Sequence, residues 1–198
     1  MAPPQSGKSF RSLLGMEDSK PTPQESTLIL IDAQNEYADG ALAIVDVASS
    51  RAVISSLLSH WRQHHGNVVH VLHQTPQGAP LFTPGTALAE EFEELGVKEG
   101  EKVIHKQHPS AFTSTELDAY LSNDVESKKI VLVGYMAHVC ISNTSRAAAE
   151  MGYDVSVVAD GIGDRDIPGA KAGGLVQTVL AELGDVSATI VESKALLA

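Results

Sequence analysis

Residues 130–152 read IVLVGYMAHVCISNTSRAAAEMG, and this stretch decides the fold. It begins with a continuous apolar run that Gly134 closes, a pattern typical of a strand buried on both faces. It ends in an alanine-rich segment that stops at Gly152, which predicts a helix. Cys140, the only cysteine in the chain, lies between the two. We therefore expect its thiol near a helix N-terminus, where backbone dipoles favour the thiolate.

The overall composition indicates one soluble globular domain. The chain has 198 residues, of which 43% are hydrophobic and 20% charged, and this is enough for a single buried core. It carries 14 Lys and Arg against 25 Asp and Glu, a formal charge of −11, which disfavours phosphate-rich partners and anionic membranes. No segment approaches the roughly 20 apolar residues that a membrane-spanning helix needs. We expect no nucleic acid and no membrane among its partners.

The N-terminal segment differs from the rest of the chain. Residues 1–25 hold four prolines among polar residues and lack the apolar core of a secretory signal peptide. We predict a loosely ordered leader over 1–25 and a single folded domain over 26–198. A lone cysteine cannot form an internal disulfide, which fits a reducing compartment. The expected location is therefore cytoplasmic, with export that needs no signal peptide left open.

Six apolar segments alternate with helical patterns along the chain. The predicted strands cover residues 27–32, 68–73, 102–106, 130–134, 155–160 and 188–191. The predicted helices cover 46–65, 87–95, 113–121, the segment after Cys140, and 170–183. Such alternation indicates βαβ units, and hence an α/β fold with a parallel sheet and helices on both faces. In sheets of this kind ligands bind beyond the carboxyl ends of the strands.

Three chemically useful side chains follow predicted strand ends. Asp32 ends the first strand, Lys106 ends the third, and Cys140 follows the fourth. A thiol nucleophile needs a base that takes its proton and a positive charge that holds the thiolate, and Asp32 and Lys106 could supply these. Each residue alone is also explained by core packing, a turn or simple solvation. Their shared position at one edge of the sheet favours a functional site.

These residues lie in three blocks that resemble the signature blocks of the isochorismatase-like cysteine hydrolases. The blocks are LILIDAQNEY around Asp32, HKQHPSAF around Lys106, and VGYMAHVCISNTSRAAAEMGYDVSVVAD around Cys140. The resemblance covers residues 27–192. It implies a three-layer α/β/α fold whose six-stranded parallel sheet has the order 3-2-1-4-5-6. It also implies that Asp32, Lys106 and Cys140 form a catalytic triad.

The residues before the cysteine carry further implications of the resemblance. It implies a cis peptide between Tyr135 and Met136, and an oxyanion hole made by the backbone N–H groups of Met136 and Cys140. The pair Ala137-His138 is similar to the Ala-His pair of isochorismatases, whereas the related nicotinamidases tend to have Thr-Asp there. Nicotinamidases also commonly bind a metal through an Asp-x-His pair, which this chain lacks. We therefore expect no metal and no other cofactor.

The substrate is expected to contact residues that surround the triad. The candidates are Gln34, Tyr37, His108, Phe112 and His138. Each of them has an alternative role in packing or in supporting a loop. The expected partners are a small-molecule substrate and further copies of the same chain in a homo-oligomer.

The leading functional hypothesis is hydrolysis of isochorismate to 2,3-dihydro-2,3-dihydroxybenzoate and pyruvate. Asp32 would act as general acid and base, Lys106 would stabilise negative charge, and Cys140 would be either nucleophile or pocket wall. Two alternatives stay open. One is a metal-independent cysteine amidase that forms a thioester, and the other is a binding scaffold without catalytic activity.

Overall fold

The computed structural model describes residues 7–123 and 128–198. Its strands are β1 (Ser26–Ile31), β2 (Asn67–His73), β3 (Lys102–Lys106), β4 (Lys129–Gly134), β5 (Asp154–Ile162) and β6 (Thr189–Val191). Its α-helices are α1 (Phe10–Leu13), α2 (Glu36–Asp39), α3 (Val47–Gln63), α4 (Leu117–Asn123), α5 (Ser142–Glu150), α6 (Ala172–Val186) and α7 (Ser193–Leu196). Shorter 3₁₀ turns cover Ala87–Ala89 and Glu93–Leu95, and a π-helical turn covers Ala137–Ile141.

The sheet confirms the predicted topology. All five strand pairs are parallel, and the order is β3-β2-β1-β4-β5-β6. Side chains point alternately to the two faces of the sheet, and helices cover both faces. Both sets of side chains are therefore buried. In β1, Leu28 and Leu30 pack on the side of α3 and α7, whereas Ile29 and Ile31 pack on the side of α4, α5 and α6. This arrangement gives the three predicted layers and leaves the carboxyl ends of the strands free to carry polar side chains.

The helix predicted over residues 87–95 is wrong. The segment instead forms two 3₁₀ turns on either side of a bridge, in which Glu91 pairs antiparallel with Gln34. The backbone N–H of Phe92 donates to the carbonyl of Ala33 at 2.9 Å. These backbone groups bond across to the segment that follows β1, so they are not available for a continuous helix. These hydrogen bonds hold the backbone of the residues that follow Asp32 in place.

The described part of the predicted leader, residues 7–25, makes specific contacts at the amino edge of the sheet. Arg11 is only 6% exposed, and its Nη2 donates to Thr189 Oγ1 at 3.1 Å. Ser19 Oγ donates to Asp154 Oδ2 at 2.7 Å. The composition of the segment indicates loose order, but a buried guanidinium with a hydrogen-bond partner holds it against β5 and β6.

Gly134 is required where β4 turns toward the cysteine. Its φ is +115°, and a Cβ atom there would lie 2.0 Å from the carbonyl oxygen of Ile31. Because the clash is with backbone, we expect Gly134→Ala to lower the free energy of unfolding by about 3 kcal/mol. Gly152→Ala is the control, since Gly152 has φ +84° and no atom within 4 Å of a Cβ. It should cost about 1–2 kcal/mol, and equal losses in denaturant unfolding would contradict the clash.

Candidate active site

Asp32, Lys106 and Cys140 meet at the carboxyl edge of the sheet. Lys106 Nζ lies 2.7 Å from Asp32 Oδ2 and 3.3 Å from Cys140 Sγ. All three side chains are buried. Strands β1 and β3 flank β2, so their carboxyl ends lie at the same edge although the two residues are far apart in sequence. The geometry brings together an acid or base, a cation and a thiol.

Asp32 holds its carboxylate ready for a further proton. It directly follows β1 with φ +51°, a conformation that is uncommon outside glycine and often found at functional sites. Neither carboxylate oxygen has a hydrogen-bond partner of good geometry among the described residues, although Lys106 Nζ is close enough for an ion pair. A buried carboxylate with unused acceptor capacity is suited to take a proton from a thiol, a water molecule or a substrate.

The surroundings of Cys140 favour the protonated thiol. Burial and the charge of Asp32 raise the pKa of Cys140 well above its usual value, and the opposing effect of Lys106 is smaller. These effects oppose the thiolate that the dipole of a following helix would favour. The physical reason is that Cys140 lies inside the buried π-helical turn, two residues before α5, with a carboxylate beside it. Any nucleophilic role of this thiol requires a base to remove its proton.

Lys106 is the charged centre of the cluster. Burial alone would lower the pKa of Lys106, but the charge of Asp32 raises it above its usual value. The side chain is thus an ammonium held in a space without water contact. Such a charge stabilises negative charge that develops beside it more strongly than it would in water.

The backbone before the cysteine has the implied shape. The Tyr135–Met136 peptide is cis. The Met136 carbonyl accepts hydrogen bonds from the N–H groups of Val139 and Ile141, which fixes the π-helical turn. In the described part of the chain the Met136 N–H itself makes no backbone hydrogen bond. It is therefore free to serve, with the N–H of Cys140, in the predicted oxyanion hole.

Two of the predicted substrate contacts, His138 and Tyr37, lie near the Asp32, Lys106 and Cys140 cluster. His138 Nδ1 lies 2.7 Å from Asp164 Oδ2, and its side chain is 25% exposed. The Tyr37 ring packs 5.3 Å from the ring of Phe82. Burial, followed by the charge of Asp32, raises the pKa of Tyr37, so its phenol stays protonated near Asp32.

The other three predicted contacts have different surroundings. The Gln34 side-chain amide accepts from the backbone N–H of His73 at 2.8 Å and donates to the His73 carbonyl at 3.0 Å. It also donates to the carbonyl of Ala89, so it supports the backbone beside the cluster. His108 accepts from Lys106 Nζ through its carbonyl at 3.1 Å, and its side chain is exposed. Phe112 packs 5.5 Å from Tyr153, which precedes β5 at the opposite edge of the sheet.

Sequence reasoning missed two residues of the site, His73 and Asp164. His73 Nδ1 lies 3.0 Å from Lys106 Nζ, and Asp164 accepts from both the ring and the backbone N–H of His138. His73 ends β2, so its position at a strand end was a usable signal. Asp164 lies in the loop after β5, where no pattern distinguishes it.

Among residues 7–123 and 128–198, no group of three or more His, Cys, Asp or Glu side chains could hold a metal ion. Within the same ranges no helix combines the length and the apolar character needed to cross a membrane.

Comparison with known proteins identifies a matching domain model, related sequences and a similar structure. A sequence model of the isochorismatase domain matches residues 26–187. "Secreted isochorismatase effector Isc1" of Verticillium dahliae is 54% identical over 186 residues, which are 94% of this chain and 97% of that protein. "Isochorismatase-like protein asqB" of Emericella nidulans is 32% identical over 188 residues, covering 95% of this chain and 84% of the relative. An isochorismatase structure from Pseudomonas putida KT2440 has a TM-score of 0.92 at 28% identity, covering 96% of this chain and 99% of that one.

Proposed function

This chain belongs to the isochorismatase family of hydrolases, and from this premise we propose that it hydrolyses isochorismate to 2,3-dihydro-2,3-dihydroxybenzoate and pyruvate. The observation that carries the proposal is the buried contact of Lys106 Nζ with Asp32 Oδ2 at 2.7 Å and with Cys140 Sγ at 3.3 Å. The Ala137-His138 pair, with its ring fixed by Asp164, supports isochorismate over the amides of nicotinamidase-like relatives.

The reaction needs a proton and a water molecule. In the proposed route the Asp32 carboxylate first takes up a proton from solvent. In its acid form it then gives this proton to the methylene carbon of the enolpyruvyl ether, which becomes a methyl group. Water adds to the ether carbon and returns a proton to Asp32. The hemiketal that forms divides into pyruvate and the ring alcohol, whose oxygen takes the hemiketal proton. Lys106 stabilises the negative charge of the enolpyruvyl group throughout.

A second candidate is an amidase, which the position of the thiol favours. Cys140 Sγ would attack an amide carbonyl while Asp32 takes its proton, and the N–H groups of Met136 and Cys140 would hold the oxyanion. Asp32 would then protonate the leaving amine, and water would hydrolyse the thioester. The raised pKa of Cys140 means that this route depends on Asp32 as base rather than on a preformed thiolate.

Cys140→Ala distinguishes the two reactions. We expect the wild type to release pyruvate from isochorismate and the variant to retain that activity, because the thiol makes no bond to substrate in the ether route. An amidase would instead lose all turnover in Cys140→Ala, and the wild type would show a trapped acyl-enzyme mass on Cys140. If the wild type turned over neither isochorismate nor any of a panel of small amides, both enzyme hypotheses would be refuted. The binding scaffold would then be the remaining hypothesis.

Location and assembly stay predictions. The Verticillium relative is named a secreted effector, so the cytoplasmic expectation for this chain needs a direct measurement. Immunoblots of cell lysate and culture fluid from the native host would show which compartment holds the protein. Light scattering of the purified chain would test the expected homo-oligomer.

A further inference from the structure

Three hydrogen-bond acceptors and one carboxylate surround the Lys106 ammonium. Its Nζ lies 2.7 Å from Asp32 Oδ2, 3.0 Å from His73 Nδ1, 3.1 Å from the His108 carbonyl oxygen and 3.3 Å from Cys140 Sγ. The three N–H groups of the ammonium match the three acceptors on His73, His108 and Cys140, and Asp32 Oδ2 lies close enough for an ion pair. The groups that surround Lys106 therefore fix the position of its ammonium.

The contact with His73 defines the state of that ring. Lys106 is an ammonium and can only donate, so the Nδ1 atom of His73 must accept and can carry no hydrogen. The ring is then neutral, with its hydrogen on Nε2. Burial, followed by the charge of Lys106, lowers the pKa of His73 below its usual 6.5, which agrees with a neutral ring.

His73 is also held firmly by its surroundings. Its backbone N–H and carbonyl both bond the Gln34 amide, and its ring packs 5.0 Å from the ring of Phe82. It pairs in register with Lys106 across β2 and β3. The charged or titratable groups that act on the ring are Lys106, Asp32 and His108.

We propose that His73 is a positioning residue of this site, whose neutral ring accepts a hydrogen bond from Lys106 and keeps the ammonium between Asp32 and Cys140. The kinetic consequence rests on the proposed function, but the tautomer does not. When the ring gains a proton at lower pH, Nδ1 can no longer accept, and the two cations repel each other. Activity should therefore fall as the pH drops through the lowered pKa of His73.

Two substitutions separate this role from simple packing. His73→Asn keeps an acceptor near the Nδ1 position but cannot titrate, whereas His73→Leu keeps bulk and removes the acceptor. We expect His73→Leu to lose about 100-fold in kcat/KM through misplacement of Lys106, and His73→Asn to recover most of the loss. In His73→Asn the fall in activity at acid pH should vanish or begin at lower pH. The matched control is His105→Asn, because His105 Nδ1 also contacts a side-chain nitrogen, Gln74 Nε2, but its side chain is exposed.

Nitrogen-15 NMR of the histidine rings tests the proposal without any substrate. At neutral pH we expect the His73 hydrogen on Nε2 and none on Nδ1. A hydrogen on Nδ1, or equal activity and unchanged pH profiles in both His73 variants with unchanged thermal unfolding, would overturn the proposal. If the wild type turns over no substrate while NMR shows the expected tautomer, the proposed function fails and the positioning of Lys106 stands.

Discussion

Asp32→Asn is expected to lower kcat/KM for isochorismate by about 10⁴-fold and, at the same time, to make Cys140 more reactive toward iodoacetamide. The first effect follows because Asp32 is the buried group with unused acceptor capacity beside Lys106 and Cys140, and an amide cannot transfer its proton. The second follows because the charge of Asp32 raises the pKa of Cys140 while Lys106 lowers it. Removing only the carboxylate charge leaves Lys106 to favour the thiolate.

The two expected effects of Asp32→Asn have opposite signs, because turnover falls while the alkylation rate of Cys140 rises. A general loss of structure would lower activity too, but thermal unfolding would detect it. Asp160→Asn is the matched control, since Asp160 lies near the end of β5 and its carboxylate bonds the backbone and hydroxyl of Ser193. It should leave the alkylation rate of Cys140 unchanged. Slower alkylation in Asp32→Asn than in the wild type would contradict the assigned electrostatics.

Lys106→Met is expected to abolish turnover and to lower the free energy of unfolding by about 4 kcal/mol. Asp32 and Lys106 are both without solvent contact, so removal of the ammonium leaves a buried carboxylate with no compensating charge. Alkylation of Cys140 should also slow, because Lys106 no longer opposes the rise in the thiol pKa. Denaturant unfolding and iodoacetamide kinetics measure the two effects.

A double variant provides the control for stability. Asp32→Asn combined with Lys106→Met removes both charges, and replacement of both partners of a buried pair is often nearly neutral. We expect it to regain most of the stability that Lys106→Met loses, while activity stays absent. If the double variant were less stable than either single variant, the loss would have to come from packing around the Lys106 stem rather than from an unpaired charge.

The sequence predicts this fold well because apolar residues dominate most of its strands, and β1 and β4 contain continuous apolar runs. Strand β3 was predicted residue for residue, at Lys102–Lys106. The segment 87–95 was predicted wrongly because its hydrogen bonds go to residues near Gln34, and no local pattern reports such distant pairing. The strand order came from the family resemblance rather than from periodicity.

The site was predicted in part for a similar reason. Asp32 and Lys106 stand out as charges at the ends of apolar strands. His73 also ends a strand, but its pairing in register with Lys106 depends on how β2 and β3 align. For Cys140, the dipole of a following helix is readable from the local sequence, whereas burial beside a carboxylate, which raises the thiol pKa, is not.

Hydrolysis of isochorismate in deuterium oxide tests whether Asp32 protonates the methylene carbon of the substrate. Protonation of the methylene carbon by Asp32 predicts pyruvate with one solvent-derived deuterium in its methyl group, released together with 2,3-dihydro-2,3-dihydroxybenzoate. Asp32→Asn serves as the blank for spontaneous decay, and rapid reduction of pyruvate to lactate preserves the label for NMR. Pyruvate release at the rate of the blank, with turnover of a small amide through an acyl-Cys140 intermediate, would contradict the account.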